Sequence, residues 1–554
     1  MAIEAPYYPI IYVRGYAATR SEIEETVATP YMGFNLGATK VRQDYEGDIK
    51  RFIFESPLIR LMKDEGYQDA YKDGDFVRPG EKVPAKSVWI FRYYEQVSED
   101  IGDGEKRTIP NFARDLRRFI LKVRDHVCGK SAKARKNFKV YLVAHSMGGL
   151  ICRCYLQNLC IHGLKAVYGE DPEDPKVPSA KDQAAEAKEL ELGKLPADQM
   201  VDKVFTYATP HNGIEVAGFN VGDFGRLDWL HVRNFNRDYM CEYLALPKGS
   251  ENVSSLNGAF DPNRFFCLVG TNYRDYSAFF GLSKKGTGPL SDGLVMIKNA
   301  AVDKAPRAFV HRSHSGHYGI VNSEEGYQNL RRFLFGNIRV EIRLVVDQIT
   351  LPEEVEAQVG EDRSRIKAAY YIESAAAIRG LGVFVNERRV TQESALRKKY
   401  EDLAHTQEPV YLFSGYLLKS AITNKPAKGG AKKKTTGSTQ EGEKMAFRID
   451  LGIQVPVYEI DKQFWFDEHF EGGQLFQETL TFHVLLKGKD TRVSYRLSSL
   501  NNNKNRPEEV VKLDWVNDEF WEFDVPIGFK QRTRDKPKPG FRGRLLVRAW
   551  PWGT

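Results

Sequence analysis

Val140-Tyr-Leu-Val-Ala-His-Ser146-Met-Gly-Gly149 is the stretch on which the fold turns. Its first five residues form a near-continuous apolar run, as expected of a strand covered on both faces. A serine then stands in a tight turn, and Leu150, Ile151 and Tyr155 open an apolar helix at once. A strand that passes directly into a helix must bend sharply, and the bend exposes the serine hydroxyl above the sheet edge. Ala144 and Gly148, two residues before and two after Ser146, are small enough to let neighbouring backbones approach. The new helix also points its N-terminus at this spot, where its free N–H groups favour developing negative charge. Ser146 is therefore a candidate nucleophile. The bland alternative is a strand–helix turn whose serine caps the helix.

Working outward, short apolar runs alternate with amphipathic helical stretches as far as about residue 336. Candidate strands are Pro9–Val13, Ser87–Tyr93, Lys139–Ala144, Lys203–Ala208 and Phe265–Val269. Between the second and third, Phe112, Leu116, Phe119, Ile120, Val123 and Val127 recur at steps of three and four, which predicts a helix. Strands alternating with helices imply an α/β domain with a mostly parallel sheet. A polar stretch, Glu170–Asp198, reads as part of a surface insertion spanning about residues 161–200. Its acids Asp171, Glu173 and Asp174 lack the spacing of a calcium loop and read as a solvated face.

Past Gly336 the period changes. Val340–Val346, Pro409–Leu417, Ala446–Val455, Thr479–Leu486, Arg492–Leu497, Val511–Trp515 and Gly543–Trp550 alternate apolar and polar residues, and turn residues separate most of them. Residues 337–554 are expected to form an antiparallel β-sandwich, with Glu393–Leu403 as a helical exception. Residues 424–443, which include Lys432–Lys434, read as a disordered basic loop.

Composition narrows the class. With 42% apolar and 28% charged residues in 554, the chain reads as an ordinary globular protein of more than one domain. A net charge of +7 is too small and too dispersed for nucleic acid, though it suits an anionic membrane surface. Six cysteines show no CxxC spacing and read as buried reduced thiols. The N-terminus lacks a basic segment followed by an apolar one, and no apolar run reaches about eighteen residues. A cytoplasmic protein is expected, one that could leave the cell only by a signal-independent route. No metal or cofactor is expected.

Three separate stretches resemble the lipase and esterase branch of the α/β-hydrolases, over roughly residues 8–336. They are Ala144–Gly149, Pro9-Ile-Ile-Tyr-Val-Arg14-Gly15-Tyr16, and Thr206-Tyr-Ala-Thr-Pro-His211-Asn-Gly213. The second is similar to the strand and "His-Gly" turn that supply an oxyanion hole, with Arg14 where many lipases carry histidine. The resemblance implies a doubly wound α/β-hydrolase fold, with oxyanion donors at the backbone N–H groups of Met147 and Tyr16. Without it, Val13–Ala17 is an ordinary βα turn.

A nucleophilic serine needs a base, and the base needs an orienting carboxylate. In this fold the chain order is serine, acid, histidine. Ser291-Asp292-Gly-Leu-Val295 resembles the acid motif of the lipase branch, so Asp292 is the expected acid, with Asp275 and Asp303 as competitors and a turn-forming Asp-Gly as the plain alternative. Three histidines stand close together further on, His311, His314 and His317. His317 begins His-Tyr-Gly-Ile-Val on a loop just before the last helix, where related lipases carry the base, so the triad is expected to be Ser146, Asp292 and His317. His314 is the next candidate. An imidazole suits the task because its pKa of about 6.5 lets it take and return a proton at neutral pH. His145 and His211 lie outside the required chain order and read as scaffold.

The expected activity is that of a serine carboxylic-ester hydrolase, a lipase or phospholipase. The alternatives are an amidase or thioesterase with the same triad, a binding protein built on a degenerate hydrolase scaffold, and a lipase effector exported without a signal. A cap or lid over about residues 214–290 would suit an acyl chain, since Val216–Leu246 carries Phe219, Phe224, Leu227, Trp229, Leu230, Phe235, Tyr239 and Tyr243. Packing onto the sheet explains the same residues equally well. Phe464, Trp465, Phe466, Trp515, Phe520, Trp521, Trp550 and Trp552 in the second half serve either a core or a membrane-facing rim. Oligomeric state is open.

Overall fold

The apolar runs of the first half lie side by side in one sheet. In the computed structural model the strands are β1 (Ile10–Val13), β2 (Gln68–Asp69), β3 (Ser87–Phe91), β4 (Val140–His145), β5 (Val201–Tyr207), β6 (Phe265–Gly270) and β7 (Arg307–Val310). They are ordered β7-β6-β5-β4-β1-β3-β2, and every pairing between neighbours is parallel. The structure describes residues 3–17, 20–43, 46–72, 75–77, 80–104, 107–169, 177–193, 197–216, 219–220, 232–275, 289–404, 408–419, 443–461, 468–486, 491–498, 508–528 and 540–553.

The chain leaves β1, builds β2 and β3 on one flank, then crosses to β4 on the other. Beyond the carboxyl ends of β1 and β4 the winding reverses, which is where open parallel sheets hold their sites. The register pairs Val13 with Ala144, so Arg14-Gly15 and His145-Ser146 leave the sheet as neighbours. Helix α1 (Ile109–Cys128) starts at a capping box, Thr108 with Asn111, and ends at Gly129. It buries Phe112, Leu116, Ile120 and Val123, while Phe119 lies edge-on to Trp89 at 6.2 Å. Helix α2 (Met147–Cys154) follows Ser146 directly, and α3 (Glu324–Phe335) closes the first half.

The chain divides into two compact units, Met1–Phe335 and Gly336–Thr554. The second is built from antiparallel strands. One sheet runs in the order Val410–Leu417, Ile338–Thr350, Gly540–Pro551, Phe520–Gly528, Asp514–Val516. The other runs Phe384–Arg388, Ile366–Ile378, Glu443–Ile460, Glu468–Leu486, Arg492–Leu497, Glu509–Val510, with Leu396–Lys399 also paired to Ile366–Ile378. Ile342, Leu344, Ile449, Ile453, Leu480, Val525 and Leu545 share one core, and each such aliphatic side chain contributes roughly 1.5–3 kcal/mol by leaving water.

Several elements differ from the expectation. Tyr93 belongs to a helical turn, Tyr93–Gln96, and not to the strand before it. Glu393–Leu403 is not a helix: Leu396–Lys399 is a strand held by pairing with Ala369–Ile372, and only Tyr400–Ala404 is helical. Ile366–Ile378, where no element was expected, is a strand paired along most of its length with Glu443–Ile460, its alanines notwithstanding. Val511–Trp515 is replaced by two short strands, Glu509–Val510 and Asp514–Val516. Trp515 is exposed and lies 4.6 Å from Trp521, outside the core. Asp171, Glu173 and Asp174, the basic loop with Lys432–Lys434, Phe464–Phe466, and Phe224, Leu227, Trp229 and Leu230 of the expected cap lie outside the described residues.

Candidate active site

Ser146 sits at the bend between β4 and α2 with φ 51° and ψ −126°. A non-glycine residue pays for such a backbone, and the neighbours over-determine it. The Ser146 N–H donates to Tyr207 O at 2.9 Å, and its carbonyl accepts from Thr209 Oγ1 at 2.9 Å and from Gly149 N at 3.0 Å. The two glycines that follow have separate reasons to be glycine. A Cβ on Gly148 would stand 2.4 Å from Val13 O and 2.6 Å from Arg14 O, and one on Gly149 would stand 2.3 Å from Thr209 Oγ1. The "Thr-Pro-His" stretch thus meets the elbow through Thr209.

The imidazole beside Ser146 belongs to His314. Its Nε2 lies 2.9 Å from Ser146 Oγ, and its Nδ1 lies 2.9 Å from Asp292 Oδ2. The other oxygen, Asp292 Oδ1, accepts from Leu294 N at 3.0 Å and Val295 N at 2.7 Å, so the Asp-Gly turn at 292–293 holds the carboxylate in place. All three side chains are buried.

The expectation for His317 is corrected. Strand β7 ends at Val310, and the loop after it closes on itself: Ser313 N donates to Tyr318 O at 3.1 Å and Gly319 N to Gly316 O at 2.9 Å. His314 lies at the start of that loop, where its N–H donates to Asp292 O at 3.0 Å. His317 lies at the outer turn and is exposed. Of the competing acids, Asp275 accepts from Asn272 Nδ2 at 2.6 Å and Asp303 is exposed.

The turn after β1 lies directly against the elbow. A Cβ on Gly15 would be 2.8 Å from Ser146 Cβ, so this glycine permits a close backbone approach. Tyr16, the residue expected to supply one oxyanion donor, follows it, and its ring lies 6.3 Å from Phe235 in an edge-on arrangement. Met147, expected to supply the other, is the first residue of α2, and N–H groups of a first helical turn have no partner within the helix. Arg14 sends Nη1 to Met32 O.

Neither of the remaining motif histidines faces Ser146 through a hydrogen bond, but both hold the site's framework. His145 Nε2 donates to His314 O at 2.9 Å, which fixes the backbone of His314. Burial, then the neighbouring His314 and Arg14 charges, push its pKa down to about 3. Between about pH 6.5 and pH 3 the unfolded chain therefore binds a proton that the folded chain excludes. Stability from this group is complete above pH 6.5 and is lost as pH falls, at about 1.4 kcal/mol per pH unit. His211 is lowered by burial and the Arg153 charge and adds in the same direction. His145→Gln, which keeps a donor but cannot titrate, is expected to flatten the dependence of Tm on pH between 6.5 and 4. An unchanged slope in thermal melts would reject this assignment.

Sequence reasoning passed over Arg153 and the Tyr93-Tyr94 pair. Arg153 is wholly buried in α2, and its donors reach Gln157 Oε1, His211 O, Val253 O and Ser255 O at 2.7–3.1 Å. An arginine on the apolar face of the helix that follows the Ser146 turn was the available signal. The six cysteines are unpaired, all buried except the half-buried Cys160. Burial pushes the Cys152 and Cys154 thiols up, which keeps them inert. Among the described residues no cluster of His, Cys, Asp or Glu could hold a metal, and no helix is long and apolar enough to cross a membrane.

No protein-family model and no curated protein matches the chain. Among solved structures it is similar to the lin2722 gene product of Listeria innocua, at 14% identity over 59% of this chain and 93% of that one, with a TM-score of 0.24. It is also similar to a candidate cell surface hydrolase of Lactobacillus plantarum WCFS1, at 12% identity over 64% of this chain and 97% of that one, with a TM-score of 0.22. Likenesses this weak carry no chemistry across.

Proposed function

We propose that the chain is a serine hydrolase of the α/β-hydrolase type that cleaves carboxylic esters of lipid-like substrates through an acyl-enzyme. The observation that carries this reading is the continuous hydrogen-bonded line from Asp292 through His314 to Ser146, both links at 2.9 Å. It ends on a strained turn at the carboxyl edge of a parallel sheet, beside a glycine turn that allows close approach.

In this reading Ser146 Oγ attacks the ester carbonyl as His314 Nε2 takes its proton. Asp292 holds the Nδ1–H and offsets the charge on the ring. The backbone N–H groups of Met147 and Tyr16 receive the negative oxygen of the tetrahedral intermediate, each typically worth about 100- to 1000-fold in rate. His314 returns the proton to the departing alcohol, then draws one from water, which releases the acid and restores the serine. A lipid-like acyl group is supported by the aromatic pair Tyr16 and Phe235, the first of which follows Gly15, the residue packed against Ser146. Docking of the second unit on a lipid surface is part of the same proposal, motivated by the exposed Trp515.

The test uses p-nitrophenyl esters of increasing chain length, then phospholipid vesicles, with wild type beside Ser146→Ala. Turnover that rises with chain length and disappears in the variant is expected. Activity that persists in Ser146→Ala sinks the mechanism, and activity confined to acetate removes the lipid claim.

A further inference from the structure

An oxyanion-binding turn works only if its backbone is already in place when charge develops. The turn after β1 has no strand partner beyond Val13, yet its polar backbone groups are engaged from outside. Tyr93 Oη donates to Arg14 O at 2.9 Å and lies 3.2 Å from Gly15 O. Tyr94 Oη accepts from Ala17 N at 2.6 Å and donates to Gly15 O at 3.1 Å. The two tyrosines are consecutive, their rings 4.3 Å apart, and both are buried. They stand just past β3, whose Phe91 is paired with Val13 of β1, so the sheet itself delivers their hydroxyls to the turn.

We infer that Tyr93 and Tyr94 are positioning residues that fix the Arg14–Ala17 turn as the oxyanion-binding wall beside Ser146, an inference that rests on the hydrolase reading above. Planarity of the peptide unit gives the reason. The Gly15 carbonyl and the Tyr16 N–H belong to one trans peptide, so they point in opposite directions. Hydroxyls that hold the carbonyl on one side orient the N–H to the other. The Tyr94 bond to Ala17 N fixes the next peptide as well, so Tyr16 is clamped on both flanks. Gly15 supplies the flexibility, and the tyrosines remove it. Burial pushes both hydroxyls up from the ordinary tyrosine value, that of Tyr94 to about 12, so both remain neutral donors throughout the working range of a histidine base.

The experiment compares wild type, Tyr93→Phe, Tyr94→Phe and the double variant, using p-nitrophenyl butyrate turnover. Active sites are counted with a fluorophosphonate probe, and affinity is measured for phenylboronic acid, which forms a tetrahedral adduct on a serine hydroxyl. Tyr94→Phe is expected to lower kcat per labelled site by ~10- to 100-fold, less than deleting a donor outright. KM should stay within about twofold, and boronate affinity should fall alongside kcat. Should Tyr94→Phe fail to fold, Tyr93→Phe carries the test, since it leaves the Ala17 N–H paired. Wild-type kcat per labelled site in the variants overturns the positioning role, as does a loss confined to the number of labelled sites. A wild-type chain that neither labels nor turns over esters sinks the hydrolase reading, and this inference with it.

Discussion

His314→Ala is expected to lower kcat for p-nitrophenyl esters by on the order of 10⁴- to 10⁶-fold, while His317→Ala leaves it within about twofold. The contrast follows from position. His314 is held at both ring nitrogens, by Asp292 and by Ser146, and its backbone carbonyl is held by His145. Removing it deprives the serine of its base and the aspartate of its partner in one step. His317 stands on the outer turn of the same loop. Residues that act as one unit are not additive, so Ser146→Ala combined with His314→Ala should be little worse than either alone. Steady-state kinetics on wild type and the four variants decide the matter. A catalytic loss in His317→Ala equal to that in His314→Ala would mean that the loop rearranges around substrate and that the resting geometry is not the working one.

The elbow was legible in the sequence because everything that makes it is local. A buried strand, small residues on either side of Ser146 and an immediate helix follow one another without a gap. Asp292 was legible for a similar reason, since an Asp-Gly pair makes its own turn and presents its own carboxylate. The base was not. His311, His314 and His317 recur at intervals of three in one loop, and each has a plausible local setting. The choice depends on where β7 ends and on how Ser313 pairs with Tyr318, and those facts exist only once the loop has folded back on itself. Tyr93 and Tyr94 were hidden for a related reason. Tyr93 read as the end of a strand and Tyr94 as the residue after it, and their contacts with residues 14–17 arise from the pairing of β3 with β1. In the second unit, strands that alternate in hydrophobicity were readable, whereas alanine-rich Ile366–Ile378 was not, because its conformation is imposed by Glu443–Ile460 alongside it.

The largest effect on stability is expected at Arg153, where Arg153→Met should cost about 3–5 kcal/mol. The methionine fills much of the volume and removes a charge that burial disfavours, which already holds the guanidinium pKa down to about 10. Taken alone, that exchange would stabilise the fold. The opposing effect is larger. His211 O and Val253 O, each 2.7 Å from the guanidinium, and Gln157 Oε1 at 3.1 Å would be left buried without that donor, and Ser255 O, also at 2.7 Å, would keep only Gln157 Nε2 at 3.4 Å. An unpaired buried acceptor costs about 1–3 kcal/mol, so several together outweigh the relief of the charge. The planar fork of arginine reaches three segments at once: the helix behind the nucleophile, the residue after Pro210, and the stretch at 253–255. Lysine keeps the charge but offers one centre in place of a fork, so Arg153→Lys should recover only part of the loss. Urea melts of the two variants measure this directly. A midpoint for Arg153→Met equal to that of wild type would show that these carbonyls find water or one another, and that the guanidinium is not what ties the segments to the nucleophile helix.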